Sequence, residues 1–281
     1  MMTQHIEGNF AGKLGYKLYF QAWLPDDEPK AVIMLAHGIV EHSGRYQRTA
    51  NYLAQNGFAV YTFDFRNHGR SQGQKGHVDD FTYFIDDLRT FHELIKAKQP
   101  NKQIFLFGHS MGAAISMAYA EKYSSELAGI ILSGSPLCIQ PRLPTAIIGL
   151  LYPLALIVPS MAFYRLDSST LSSDKKVVEA YDKDSLVFRG KLTTGLLLSF
   201  LWELHKIRAG LDKIEAPVLI LHGSEDKLCL PSGSKVALQG VKSKDKSIQI
   251  YSGFFHEILN EPEYTTVLAD MLAWLDKRTL N

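Results

Sequence analysis

One serine has the sequence context of a nucleophile. Ser110 lies in FLFGHSMGAAI, where Gly108 and Gly112 flank it as G-x-S-x-G between a strand-like and a helix-like run. In such a pattern the serine occupies a sharp, strained turn, and the backbone at both glycines passes too close to its surroundings for side chains. The following helix would direct its N-terminal amides toward the hydroxyl. A chance match in a loop is the alternative, but the strand and helix context favours a nucleophilic serine.

A nucleophilic serine needs a base, and the base needs an acid that orients it. In this arrangement the chain order is Ser, then Asp or Glu, then His. His256 is the one histidine after the strand-like run that ends at Asp226, so elimination selects it as the base. For the acid we favour Asp226, because its shorter side chain suits a fixed histidine partner. The neighbouring Glu225 remains the alternative, and a turn-capping role is the structural interpretation of either residue.

The stretch AHGIVEHSGRY allows two interpretations. His37, Glu41 and His42 are residue types that bind metal ions. However, the adjacent side chains of Glu41 and His42 would diverge in an extended turn, and no further ligand cluster accompanies them. We therefore interpret the stretch as a turn that leaves a strand and presents backbone amides, and we expect no metal site.

Apolar runs alternate with amphipathic helical patterns along most of the chain. Phe84, Leu88, Phe91 and Ile95, for example, recur at three- and four-residue spacing and form one apolar helix face. Continuously hydrophobic strands that alternate with helices indicate a mostly parallel sheet covered on both faces. The run 15–25 alternates instead and predicts an antiparallel edge hairpin or edge strand. The six predicted core strands are 30–38, 58–65, 102–110, 128–135, 217–226 and 246–253.

Residues 136–212 interrupt this rhythm. The segment has a helical pattern, several prolines and no obvious strand, so we interpret it as a helical cap inserted between core strands. Residues 1–135 and 213–281 would then form the α/β core. The apolar stretch 146–158 contains Pro153 and is shorter than the roughly 18 residues of a membrane-spanning helix. It would line a channel, rest on lipid or simply pack on the core.

Composition excludes several functional classes. Apolar residues make up 46% of the 281 residues, enough for a sizeable core. Thirty Lys and Arg balance 29 Asp and Glu without a long run of either sign, which argues against a nucleic-acid partner. Two cysteines, far apart in sequence, cannot form a dense disulfide framework, so a reducing compartment is expected. No signal peptide is visible, which makes the cytosol the default location.

At this point four stretches resemble a known family. HGIVEHSGRY, GHSMGA, GSEDKLC and HEILNE, in this order, are similar to the monoacylglycerol lipase branch of the α/β-hydrolases over almost the whole chain. The resemblance implies an α/β-hydrolase fold and a catalytic triad of Ser110, Asp226 and His256. It also implies that the backbone amides of Ile39 and Met111 form the oxyanion hole. For Met111 this agrees with the rule that the residue after the nucleophile donates an N–H group.

The resemblance also extends to the substrate's polar end. It implies that Glu41, Arg45 and Tyr181 shape the site for the alcohol part of the ester. Some members carry a second histidine three residues after the catalytic one, whereas this chain has Leu259 there, so recognition of glycerol is expected to differ. Cys229 matches a thiol near the active site of the family, and a small buried apolar residue is the alternative interpretation.

The expected activity is hydrolysis of monoacylglycerols to a fatty acid and glycerol through an acyl-serine intermediate. Two alternatives stay open: a broader carboxylesterase or lysophospholipase with the same triad, and a ligand receptor built on a hydrolase fold. We expect no metal or organic cofactor. The expected partners are a lipid ester substrate and, reversibly, a membrane surface that the cap contacts. The sequence does not indicate an oligomeric state.

Overall fold

The computed structural model describes residues 3–140 and 145–279, and within these ranges one large sheet organises the chain. Its strand order is β1-β2-β4-β3-β5-β6-β9-β10. The six strands from β4 to β10 pair in parallel, and β2 pairs antiparallel with both β1 and β4. The strands of this sheet are β1 Gln4–Ala11, β2 Lys17–Leu24, β3 Ala31–Ala36, β4 Phe58–Phe63, β5 Ile104–His109, β6 Gly129–Ser133, β9 Val218–Gly223 and β10 Lys246–Tyr251. The predicted mostly parallel sheet is confirmed.

Helices cover both faces of the sheet. Alternate residues of β3 belong to different apolar clusters: Val32 and Met34 pack on one face, and Ile33 and Leu35 on the other. This alternation explains why the strand is hydrophobic throughout. The helices are α1 Gln47–Gln55, α2 Thr82–Lys98, α3 Met111–Tyr123, α4 Thr145–Ile157, α5 Lys175–Lys183, α6 Thr194–Gly210, α7 Pro231–Gly240 and α8 Tyr264–Thr279.

The sheet ends in an antiparallel hairpin, one of the two arrangements that the sequence predicted for the run 15–25. That run forms β2, and β1, which the sequence did not reveal, forms the outer strand. Together they make a hairpin in which Gln4 pairs with Leu24 and Ala11 with Lys17. The residues of β1 are exposed or half-exposed, so this strand lacks the hydrophobic signal of a buried strand.

Between β6 and β9 the chain is mainly helical, as expected from the sequence. This part contains α4, α5 and α6; α4 packs on α6, and α6 packs on α3 of the core. It also contains a two-stranded sheet that the sequence did not reveal, β7 Ala162–Tyr164 with β8 Leu192–Thr193. The expectation of no strand here was therefore wrong, because runs of two or three residues show no period.

The division into a core (1–135 and 213–281) and a cap (136–212) remains a prediction. Residues 1, 2, 141–144, 280 and 281 of these ranges lie outside the described residues. Among the described helices, α4 included, none has both the length and the apolarity that a membrane span requires.

Candidate active site

Ser110 lies on a strained turn between β5 and α3. Its backbone angles are φ 53° and ψ −117°, in a region that non-glycine residues rarely adopt. A Cβ at Gly108 would overlap the hydroxyl of Ser116 and the backbone of Gly112, and a Cβ at Gly112 would overlap the carbonyl oxygen of Ala36. The two glycines of the pattern are thus required by close packing, which holds the serine in its strained conformation.

His256 and Asp226 meet at the same end of the sheet. His256 Nδ1 lies 2.7 Å from Asp226 Oδ2. The backbone amides of Leu228 and Cys229 both donate to the other oxygen of Asp226, at 2.9 Å. Because Nδ1 donates to the carboxylate, Nε2 of His256 is left free to accept a proton. The alternative acid, Glu225, is exposed and has no contact with His256 among the described residues.

His256 and Asp226 shift each other's pKa in opposite directions. Burial would lower the pKa of His256, but the attraction of Asp226 outweighs this effect and raises it above the ordinary value. Burial would raise the pKa of Asp226, but His256 and His222 hold it well below its usual range. His222 is fully buried, and its Nε2 lies 2.7 Å from Cys229 O and 3.1 Å from Asp226 Oδ2. Asp226 therefore has a second histidine beside it.

The hydroxyl of Ser110 interacts with Cys229. No hydrogen bond joins Ser110 to His256 within the described residues, although both line the same cavity. Instead, the hydroxyl lies near the thiol of Cys229 and acts to lower its pKa. Burial and the charge of Asp226 nonetheless raise the pKa of this thiol well above its ordinary value. Cys229 is thus both buried and close to Ser110, so the two interpretations that the sequence left open apply together.

Two backbone amides near Ser110 are free. The N–H groups of Ile39 and Met111 have no hydrogen-bond acceptor among the described residues. Met111 is the first residue of α3, where an N–H group has no partner inside the helix. Ile39 lies in the turn after β3, against which the start of α3 packs through Gly112 and Ala36. Both amides can therefore donate to a ligand at this point.

A buried ionic cluster lies beside this turn. Arg45 Nη1 donates to Glu41 Oε2 and to Glu257 Oε1, each at 2.6 Å, and Nη2 donates to Glu257 Oε2 at 2.7 Å. The guanidinium carbon lies 4.7 Å from the ring centre of Tyr181. Burial would raise the pKa of Glu257, but attraction to Arg45 lowers it to about 2. We call Glu41, Arg45 and Glu257 the carboxylate–arginine cluster.

Glu41 also shapes the turn itself. Its Oε1 accepts hydrogen bonds from the backbone N–H of Gly38, at 2.6 Å, and from the hydroxyl of Tyr46, at 2.7 Å. The other residues of the rejected metal hypothesis have separate partners: His37 contacts Gly38 and Phe65, and His42 Nε2 lies 2.8 Å from Asp184 Oδ2. The described residues contain no cluster of three or more His, Cys, Asp and Glu that could hold a metal ion.

A mainly apolar cavity of about 340 Å³ adjoins these groups. Ser110, His256, Ile39, Glu41, Glu257 and Tyr181 all line it, whereas Arg45 lies behind the carboxylates and does not. The remaining walls come largely from apolar side chains of the segment between β6 and β9 and of the loop after β9. These are Pro136, Ile139, Leu151, Tyr164, Leu166, Leu171, Leu192, Leu197, Leu198, Phe200, Leu201 and Leu228.

The sequence did not point to Glu257 or His222 as site residues. Glu257 directly follows His256, but its partner Arg45 is 212 residues away, and only the fold brings them together. His222 was interpreted as part of a strand end, and it is in β9, with its ring toward Asp226. Leu259, which replaces a histidine found in some family members, is buried in an apolar cluster and does not line the cavity.

Comparisons with known proteins agree with this architecture. A family profile described as "Serine aminopeptidase, S33" matches residues 27–263. The monoacylglycerol lipase of Mycolicibacterium smegmatis is 34% identical over 269 residues, which cover 96% of each chain. Human monoglyceride lipase is 33% identical over 94% of this chain and 88% of its own. A soluble variant of Saccharomyces cerevisiae monoglyceride lipase, solved in complex with a substrate analog, superimposes with a TM-score of 0.85 at 27% identity, covering 99% of this chain and 95% of that one.

The carboxylate–arginine cluster makes a prediction about stability. Arg45→Met leaves Glu41 and Glu257 buried without their cation, which should cost about 3–5 kcal/mol of the free energy of unfolding, measured by urea denaturation. Arg208→Met is the matched control, because Arg208 is exposed and its side chain forms no ion pair among the described residues, so this variant should lose about 1 kcal/mol or less. Equal losses of unfolding free energy in the two variants would show that the carboxylate–arginine cluster does not stabilise the fold more than an exposed arginine does.

Proposed function

The chain belongs to the serine aminopeptidase S33 family and, within the α/β-hydrolases, to the monoacylglycerol lipase branch; from this we propose that it hydrolyses monoacylglycerols through an acyl-Ser110 intermediate. The products would be a free fatty acid and glycerol. The observation that carries most weight is that Ser110, His256 and Ile39, whose backbone amide has no acceptor among the described residues, all line one largely apolar cavity. Relatives named as lipases of monoacylglycerols support the choice of substrate.

In the first step of the proposed mechanism, Ser110 Oγ attacks the ester carbonyl. His256 Nε2 takes the hydroxyl proton, and Asp226 stabilises the imidazolium that forms. For this the serine hydroxyl must form a hydrogen bond with His256 Nε2; such catalytic hydrogen bonds often tighten only when substrate binds. The amides of Ile39 and Met111 stabilise the negative charge on the carbonyl oxygen, each contributing about 10²–10³ in rate. His256 then returns the proton to the departing glycerol oxygen.

In the second step, His256 activates a water molecule that attacks the acyl-Ser110 ester. The same two amides stabilise the second tetrahedral intermediate; the bond to Ser110 Oγ then breaks, His256 returns the proton to that oxygen, and the fatty acid leaves. The apolar walls of the cavity suit the acyl chain. Glu41, Glu257 and Tyr181 line the cavity and carry oxygens that can form hydrogen bonds with the hydroxyl groups of the alcohol.

The first test combines active-site labelling with substrate preference. The wild type should react with a fluorophosphonate probe and hydrolyse monoacylglycerols with a kcat/KM that rises with acyl length, because longer chains bury more apolar surface. Ser110→Ala should lose both activities. Ser116→Ala, which removes another buried hydroxyl from α3, should keep them. An unlabelled wild type would favour the receptor alternative, and a kcat/KM that falls with acyl length would favour a general carboxylesterase.

The second test follows from the raised pKa of His256. As a base it must be neutral, so kcat/KM for a p-nitrophenyl ester should rise with pH around a midpoint above the ordinary value of about 6.5. Asp226→Asn removes the attraction that raises this pKa, so the midpoint should move to lower pH, and the plateau should fall by about 10⁴. Glu225→Gln should change neither quantity. A shifted midpoint in Glu225→Gln, or an unshifted one in Asp226→Asn, would assign the acid differently.

Reversible membrane contact through the cap is a further part of the proposed function. On α4, Leu150 and Ile157 are 78% and 76% exposed, and Ile147 and Met161 are partly exposed nearby in sequence. An exposed apolar helix face of this kind can insert its side chains into the boundary of a lipid surface. This contact would bring the cavity, which Leu151 of the same helix lines, close to lipid substrate.

The membrane contact can be measured by co-sedimentation with phosphatidylcholine vesicles at low salt. The wild type should bind, and the double variant Leu150→Ser, Ile157→Ser should bind at least about tenfold more weakly, because burial of a leucine or isoleucine contributes about 1.5–3 kcal/mol. Leu14→Ser provides the control, since Leu14 is 68% exposed outside the cap. No binding by the wild type, or equal weakening by Leu14→Ser, would refute contact through α4.

A further inference from the structure

We propose that Glu257, together with Glu41, makes the cavity selective for the charge of the leaving alcohol, so that it accepts an uncharged polyol and rejects an alcohol that carries a phosphate. This inference rests on the proposed ester hydrolysis and narrows its substrate class. It separates a lipase for neutral monoacylglycerols from a lysophospholipase with the same triad. Glu257 would then be a residue that determines specificity, next in sequence to the proposed base.

The first observation concerns the charges that face the cavity. Among its described lining residues, Glu41 and Glu257 are the acidic ones, and none is a lysine or an arginine. The other polar lining residues are Ser110, His109, Gln140, Tyr164, Tyr181, Cys229 and His256. Burial lowers the pKa of His109 to about 4, so this ring adds no positive charge at neutral pH. His256 must be neutral to act as the base, so in the reactive form of the site an anionic group would meet the two carboxylates without a facing cation.

The second observation is that Arg45 cannot supply this cation. Its Nη1 group donates to both carboxylates and its Nη2 group donates to Glu257, so the donors that point toward the carboxylates are engaged. Tyr181 covers the guanidinium plane. With two carboxylates and one guanidinium, the cluster has a formal charge of −1. A phosphate would have to disrupt two buried ion pairs to reach Arg45.

The third observation concerns the hydrogen bonds that the carboxylates still offer. Glu41 Oε2 and Glu257 Oε1 each accept one hydrogen bond within the described residues, both from Arg45 Nη1. A carboxylate oxygen accepts about two, so each can take one more. The hydroxyl groups of a polyol can donate these bonds. A phosphate dianion has no hydrogen to donate and would place its oxygens against those of the carboxylates.

Cations elsewhere do not compensate. Arg165 and Arg189 line a separate pocket of about 20 Å³, which Tyr181 also borders, and Asp182 shares that pocket with them. Arg189 donates to the backbone oxygen of Asp184. Neither arginine is among the residues that line the large cavity, so the charge that an alcohol meets beside Ser110 remains that of Glu41 and Glu257.

The test compares two esters that differ by one phosphate group. The substrates are 1-octanoylglycerol and the same compound with a phosphate on its third carbon, both used below the concentration at which they form micelles. The phosphate carries about −1.5 to −2 charges near pH 7. Because like charges brought together in a binding site cost several kcal/mol, kcat/KM of the wild type should be at least about 100-fold lower for the phosphate ester.

Glu257→Gln tests the residue itself. The variant removes one negative charge and keeps the side chain's size, so the ratio of the two kcat/KM values should narrow by about tenfold. Glu263→Gln, the same change at an exposed position on the same segment, should keep the ratio of the wild type. The assignment to Glu257 would be overturned if Glu257→Gln left the ratio of the two kcat/KM values unchanged. It would also be overturned if Glu263→Gln narrowed that ratio by the same factor.

If Glu257→Gln does not fold, the wild type alone can still show whether the cavity discriminates against a charged alcohol. Glycerol should slow fluorophosphonate labelling of the wild type, and glycerol 3-phosphate at the same concentration should not; equal slowing by both would overturn the proposal. In the hydrolysis assay, similar rates for both esters would overturn charge selectivity while leaving ester hydrolysis intact. Hydrolysis of neither ester would overturn the proposed function and, with it, this inference.

Discussion

The close approach of helix α3 to the end of strand β3 is the constraint on which the rest of the site depends. Gly112 lies so near the carbonyl oxygen of Ala36 that no side chain fits between them. This contact brings the first amide of α3 beside the turn that contains Ile39, and it leaves Ser110 in a strained conformation at the junction. This backbone contact therefore fixes Ser110 and the start of α3 against the end of β3, while the carboxylate of Glu41 holds the turn that contains Ile39.

Two sets of buried charges then attach distant parts of the chain to this junction. Asp226, held by two backbone amides and flanked by His222, contacts His256 from the end of β9. The next residue, Glu257, binds Arg45, which follows the turn after β3. The loop that carries His256 is thus held by two contacts: His256 with Asp226, and Glu257 with Arg45. Through these contacts one loop joins the proposed base to the proposed alcohol site.

Sequence reasoning could predict the sheet and the residues whose patterns are local. Ser110 lies in a short pattern whose glycines are required by close packing. The order of elements along the chain selected His256, and the shorter side chain favoured Asp226 over Glu225; the fold brings His256 and Asp226 together. Their chemical roles, and those of Ile39, Met111, Glu41, Arg45 and Tyr181, remain predictions. Glu257 was not found because its partner is 212 residues away and nothing near it in sequence indicates the pairing. β7 and β8 were not predicted, because strands of three and two residues are too short to show a hydrophobic period.

If the chain is a serine hydrolase of this kind, an ester substrate passes its acyl group to Ser110. Mass spectrometry can detect this intermediate in protein quenched in acid within milliseconds of mixing with a monoacylglycerol. We expect a transient gain equal to the mass of the fatty acid less one water, located on the peptide that contains Ser110. Release of fatty acid without such an adduct, or an adduct on another residue, would rule out an acyl-Ser110 intermediate.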